Sequence, residues 1–278
     1  MIIDAHAHFW RAPQEVTTNR ASHHEPIGVD EFVRHMDEAG VDKLLQITRS
    51  MMGFDNSYSL EGAAEYPDRI RVLGRLNPRA PDLLAQLDGW LMQPGMVGIR
   101  LMAVNADEAS CFDDGTMGRF WPEAEKRGIP ISVYAPERSR LIGEVAARYP
   151  GLQLVVDHIG MRVFDIFEDP PSMDDWPNLM ALARFPNVTI KVSGIPEAMV
   201  ERRSFPKSRQ RVREIYDRFG ADRMMWGSNY PPTTQVCTYR QALDLISSQC
   251  AFLTAADKEK ILARTAARVF RLPWQQNN

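Results

Sequence analysis

The sequence predicts an α/β fold, a (β/α)8 TIM barrel spanning residues 1–278 as a single domain. Three observations predict it. Short apolar runs alternate with longer runs of helical periodicity, which is the pattern of parallel strands joined by helical crossovers. The alternation repeats eight times, the number at which such a sheet closes on itself in a chain of about 250 residues. The turn after the first run holds His6-Ala7-His8, where an open doubly wound sheet would carry a glycine-rich loop.

The elements follow in order. Ile2 and Ile3 begin a buried strand that leads into Asp4, His6 and His8. Strand alternation predicts all three polar side chains on one face. A polar loop containing His23 and His24 runs to Ile27; loops of that length often carry function. Residues 30–39 read as a helix with Phe32, Met36 and Ala39 on one face and Gly40 as its stop. Strand two covers 43–48 and ends at Arg49; a short helix to Tyr66 precedes strand three at 70–76. Leu83, Leu84, Leu87 and Leu91 mark a helix over 81–92, before strand four at 96–102. A helix over 120–127 and strand five at 129–135 come next, then a helix over 138–149 stopped by Pro150-Gly151. Strand six, 152–158, is the purest apolar run. After a loop over 161–175 come a helix at 176–185, strand seven at 188–193, a helix at 205–219 and strand eight at 224–228. A helix at 239–248 and a last one capped by Thr254 and Asp257, running to about Arg271, complete the chain.

Composition narrows the function. With 44% hydrophobic and 25% charged residues, the chain can bury a large core. A formal net charge of −3 with no block of like charge argues against nucleic acid or a membrane surface as partner. Cys111, Cys237 and Cys250 have no ligand spacing and read as free thiols of a reducing compartment. No signal-like or membrane-spanning run is present, so the expectation is a cytoplasmic protein, with a homo-oligomer left open.

In a barrel of this class the chemistry gathers at the C-terminal ends of the strands. Those ends supply His6 and His8, Arg49, Arg75, Arg100, Tyr134, Asp157-His158, Lys191 with Ser193, and Ser228-Asn229. Two imidazoles at i and i+2 suit a divalent cation or a polarised carbonyl, and a hydrogen-bonded pair in a turn would look the same. His158 is the candidate third ligand or acid/base group. Asp157 should point away from His158 and so read as a structural ion pair or cap. Arg49, Arg100 and Lys191 would repel one another around an empty pocket, which points to a small anionic organic substrate.

Five segments then resemble the amidohydrolase superfamily in its amidohydrolase-related, lactonase-like branch. They are Asp4 to Trp10, Gly98-Ile99-Arg100, Val156 to Gly160, Lys191 to Gly194, and Trp226 to Pro231. The resemblance implies a barrel hydrolase with His6, His8 and His158 as metal-binding or carbonyl-polarising histidines, and Arg100 on a substrate carboxylate. It implies one divalent ion, Zn2+ by preference, or catalysis by the histidines alone. Two positions depart from the family pattern. Tyr134 stands near the place of a metal-binding histidine, and Asn229 stands where an aspartate usually takes the proton of the attacking water. An amide has no useful basicity for that task. The expected activity is the opening of a lactone or similar cyclic ester, with His158 and Asn229 catalytic and Arg49, Arg100, Tyr134 and Lys191 binding substrate. A metal-dependent decarboxylase of a carboxylated ring and a non-catalytic anion-binding barrel are the alternatives.

Overall fold

Eight parallel strands in the order β1 to β8 form one sheet, and helices follow the strands around its outside. The computed structural model describes residues 1–11, 25–164, 166–167, 171–202 and 204–274. His23 and His24 lie outside the described residues. The strands are β1 Ile3–Ala7, β2 Lys43–Ile47, β3 Ile70–Arg75, β4 Met96–Met102, β5 Ile131–Tyr134, β6 Leu154–Val156, β7 Val188–Ser193 and β8 Met224–Gly227. The fold is the expected (β/α)8 barrel.

Closure comes from groups just beyond the last strand. Asn229 N donates to His6 O at 2.8 Å, and His8 N donates to Tyr230 O at 2.9 Å. The Asp4 carboxylate adds a side-chain clasp, accepting from Ser228 N at 2.9 Å, Ser228 Oγ at 2.5 Å and Tyr239 Oη at 2.8 Å. The pairing of β1 with β2 shifts register between Asp4 and Ala7. Such an irregularity rephases the side chains beyond it. That corrects the expectation that Asp4 shares a face with His6 and His8: Asp4 reaches the outer Tyr239–Asp244 helix, while His6 turns into the barrel.

Two apolar layers hold the frame. Strand residues such as Leu44, Ile99, Val133 and Val192 pack outward against helix residues such as Phe32, Met36 and Ile142. The helix Val29–Ala39 shows the logic: Val29, Phe32, Val33, Met36 and Ala39 bury one stripe, and Gly40 ends it at φ +77°. Inside the barrel, Ile3, Ala5, Leu45, Ile47, Leu73, Val155 and Met225 meet Phe270 and Trp274 of the C-terminal segment. One end of the barrel is therefore stoppered with apolar side chains, and the polar groups crowd the other. All three cysteines are free and buried. Among the described residues no helix is long and apolar enough to cross a membrane.

Gly227 sets how closely β8 approaches β1. A Cβ there would lie 2.6 Å from His6 Cβ and 2.9 Å from His6 N. We therefore expect Gly227→Ala to cost about 1–3 kcal/mol by overpacking and to lower turnover by displacing His6. Urea melts and initial rates check this; an unchanged midpoint would show that the β1–β8 seam yields freely.

Candidate active site

The site is organised by a buried carboxylate. Asp157 follows β6 and shares the inward face of Val155, whose side chain belongs to the interior cluster. Asp157 Oδ1 accepts from Ser132 Oγ at 2.6 Å and pairs with Lys191 Nζ at 2.8 Å; Oδ2 pairs with Arg100 Nε at 3.1 Å. His6 Nδ1 lies 3.5 Å from Oδ1. These partners come from β1, β4, β5 and β7, and only a closed barrel lets them meet. Burial pushes the Asp157 carboxyl up, but Lys191, His6 and Arg100 together outweigh it and hold it well below its ordinary value. The expected structural ion pair is present, but Asp157 turns inward with His158 rather than away from it, and it is the charge about which the site is built.

His158 reaches the same space by a backbone device. His158 and Ile159 have φ values of +52° and +51°, left-handed conformations that turn the chain sharply after β6. The turn brings His158 beside His6, with ring centroids 4.3 Å apart, and against Tyr134 at 4.9 Å. His6 and His8 are 5.1 Å apart. Each imidazole has Nδ1 facing a protein group. His8 Nδ1 donates to Ile47 O at 2.8 Å; His158 Nδ1 is 3.0 Å from Ser193 Oγ; His6 Nδ1 faces Asp157 and Lys191. Nε2 is thus the nitrogen left for a ligand, and His6 Nε2 is buried with no hydrogen-bond partner among the described residues. Burial holds all three rings in the neutral form. It is reinforced at His8 by Arg49 and Arg100, and at His6 by His158 and Lys191. Burial likewise brings His158 down to about 3, Asp157 opposing and Arg100 assisting.

The cations divide by what they touch. An ammonium has three donors. Those of Lys191 meet Asp157 at 2.8 Å, Ser132 at 3.0 Å and His6 Nδ1 at 3.4 Å. With its three donors engaged, Lys191 supports Asp157 and His6 in place of the expected contact with substrate. Arg100 spends Nε on Asp157 and lies over the Tyr134 ring at 5.3 Å; its Nη groups make no hydrogen bond among the described residues. Arg49 lies over Trp10 at 4.2 Å, and its buried Nη1 has no partner among the described residues. Burial and the charge of Arg100 lower Arg49 to about 10, still protonated at neutral pH. Arg75 is occupied, bonding Ser50 O, Gly53 O and the Glu108 carboxylate. Tyr134 Oη accepts from Val163 N at 3.2 Å, and burial pushes its phenol up so that it stays protonated.

Asn229 has φ +60°, a left-handed conformation that asparagine tolerates better than most residues. Its Nδ2 donates to Glu197 Oε1 at 2.9 Å. Glu197 was not among the residues singled out in the sequence. It lies in the short helix Ile195–Ala198 after β7 and is fully buried. The signal that could have found it is a lone carboxylate in the apolar run Gly194-Ile195-Pro196-Glu197-Ala198-Met199-Val200.

Among the described residues, no three His, Cys, Asp or Glu side chains come together closely enough to hold a metal ion. The cation expected on His6, His8 and His158 therefore finds no preassembled donor set here. The positive charges of Arg49, Arg100 and Lys191 act on these same rings.

The comparisons with known proteins agree with this geometry. The amidohydrolase family model matches residues 3–272. The chain belongs to the amidohydrolase family. An L-fucono-1,5-lactonase of Burkholderia multivorans is 27% identical over 296 residues, covering 98% of this chain and 96% of its own. A solved amidohydrolase structure from Burkholderia multivorans with bound zinc superposes with a TM-score of 0.82 at 24% identity, covering 98% of this amidohydrolase and 100% of that chain. A probable 2-pyrone-4,6-dicarboxylic acid hydrolase from Acinetobacter baumannii, solved with citric acid, gives a TM-score of 0.76 at 22% identity over 97% and 99% of the chains. The family and its lactonase-like relatives make this amidohydrolase an enzyme of the hydrolase class.

Proposed function

We propose that this amidohydrolase opens a lactone, or a similar cyclic ester, of an anionic organic acid. One observation carries the reading: three neutral imidazoles stand together at the strand ends beside two arginines with donors to spare. The lactonase name of the Burkholderia multivorans relative supports the substrate class. Arg49 and the Nη groups of Arg100 bind the anionic part of the substrate. Nε2 of His6 and His158 meets the ester carbonyl, and Nε2 of His8, whose proton sits on Nδ1, accepts from the water. Because the rings are neutral, they act as hydrogen-bond donors or acceptors without adding charge to a crowded cationic pocket. The Asp157–Lys191–Ser132 cluster fixes His6, and Ser193 fixes His158. Donors aimed at the developing oxyanion are each worth roughly 10²–10³ in kcat.

No step here runs through a metal. A single divalent ion, Zn2+ first, is the second reading, and the zinc-bound Burkholderia multivorans structure favours it. The test offers purified protein a panel of L-fucono-1,5-lactone, a carboxylated pyrone lactone and hydroxybenzoic acids, before and after dialysis against dipicolinate. We expect ring-opened acids from the lactones, no CO2 from the benzoates, and rates unchanged within twofold by the chelator. CO2 release would support a decarboxylase; activity lost on dialysis and restored by zinc would support the ion.

A further inference from the structure

A hydrolase must place the proton of its attacking water, and Asn229 cannot hold it. We propose that Glu197 is the proton acceptor for ring opening, taking over the task for which the end of β8 supplies only an amide. This rests on the lactone-hydrolysis reading above. Three observations place Glu197 at the site. Asn229, whose backbone N bonds His6 O, donates its Nδ2 to Glu197 Oε1 at 2.9 Å. The Glu197 helix starts at Gly194, φ +61°, where a Cβ would lie 3.0 Å from His158 Nδ1. Glu197 Oε2 is buried with no hydrogen-bond partner among the described residues.

A structural role explains these facts poorly. Burying a carboxylate costs several kcal/mol unless opposite charge compensates it. Asp157 has Lys191 and Arg100; Glu197 has the Asn229 amide, the Thr233 hydroxyl and no cation among its described partners. The groups that face Glu197 are Asn229, Thr233 and Cys237, with the Asp157–His158 turn and the Pro232–Gln235 turn packed against its helix. Burial pushes its carboxyl up to about 7; Asn229, the local backbone and the Thr233 hydroxyl offset only part of that. Such a group exchanges a proton readily at neutral pH. Cys237, driven to about 12 by burial and the charge of Glu197, stays a thiol throughout.

The step balances. The water oxygen bonds to the ester carbon, its proton passes to Glu197 Oε2, and the carbonyl pair moves onto oxygen. On collapse the ring C–O bond breaks, and Glu197 returns the proton to the departing alkoxide. The product is a hydroxy acid, whose own proton goes to solvent. Glu197 must be ionised to begin, so kcat/KM should fall as pH drops through about 7. The imidazoles, held well below their ordinary value, are already neutral there.

The test follows pH–rate profiles with the 1,5-lactone probe for the full chain, Glu197→Gln, and Glu197→Gln with Asn229→Asp. Glutamine keeps an oxygen for Asn229, and thermal melts confirm that each variant folds. We expect Glu197→Gln to lose at least a hundredfold in kcat together with the acidic limb. The double variant should recover at least tenfold, its limb moved toward the ordinary aspartate value near 3.9. Activity of Glu197→Gln within threefold of the parent, or a loss that leaves the limb in place, would overturn the assignment. If the parent opens no lactone, the hydrolase reading fails on its own. Infrared titration of the carboxyl band missing in Glu197→Gln then decides for Glu197: a midpoint near 7 keeps it as a proton acceptor, and one in the ordinary carboxylate range removes it.

Discussion

Replacing Asp157 with asparagine should destabilise the protein by about 3–5 kcal/mol, the cost of leaving buried charge without its partner. The amide fills the same volume, so packing is spared and the loss is electrostatic. Lys191 and Arg100 would then share the barrel interior with no negative charge between them. Lys191 is fully buried and Arg100 nearly so, and water cannot screen them. Turnover should collapse with stability, because His6 Nδ1 loses the carboxylate that faces it at 3.5 Å. The pH dependence has a definite sign. Asp157 sits well below its ordinary value, so its contribution is complete above the unfolded value near 3.9 and disappears only as pH falls through the lower, folded one. Urea unfolding of both proteins should therefore differ equally at pH 7 and pH 5. A gap that closes between those values would mean that Asp157 is not ionised as the network requires.

Arg49→Met should raise KM for an anionic lactone roughly ten- to hundredfold while sparing a neutral one. Loss of one charge-assisted hydrogen bond, at about 1.5–3 kcal/mol, sets that scale. Arg49 stacks on Trp10, and methionine can cover the same ring, so little stability should go with the charge. Arg75 is the control. Its Nη groups are spent on Ser50, Gly53 and Glu108, so Arg75→Met should lower stability and leave KM alone. Equal effects of Arg49→Met on both lactones would make it a structural residue.

The frame was legible because the barrel follows from hydrophobic periodicity. Strands β4 and β7 fall at 96–102 and 188–193, as the apolar runs predict; β2, β3 and β8 start as expected and end one residue early, and β5 and β6 are one or two residues shorter at each end. The helix Ala106–Asp113 was missed, although Asn105 caps it by accepting from Glu108 N. Its short, weakly amphipathic sequence gives no stripe to read. Site residues were legible where a strand end alone places them, as at Arg100 and His6. They were not where the backbone leaves regular geometry. The register shift in β1 separates Asp4 from His6, and the left-handed turn at His158 puts both Asp157 and His158 inside. Strict alternation forbids both results. Glu197 lies in a four-residue helix without periodicity, and its meaning depends on an amide far along the chain.

The central claim is that water attacks an ester carbonyl held among His6, His8 and His158. Ring opening in 18O-enriched water tests it in one mass spectrum. The account predicts one 18O atom in the new carboxylate and none in the released hydroxyl group. Label in the hydroxyl, or an unlabelled product, would contradict it.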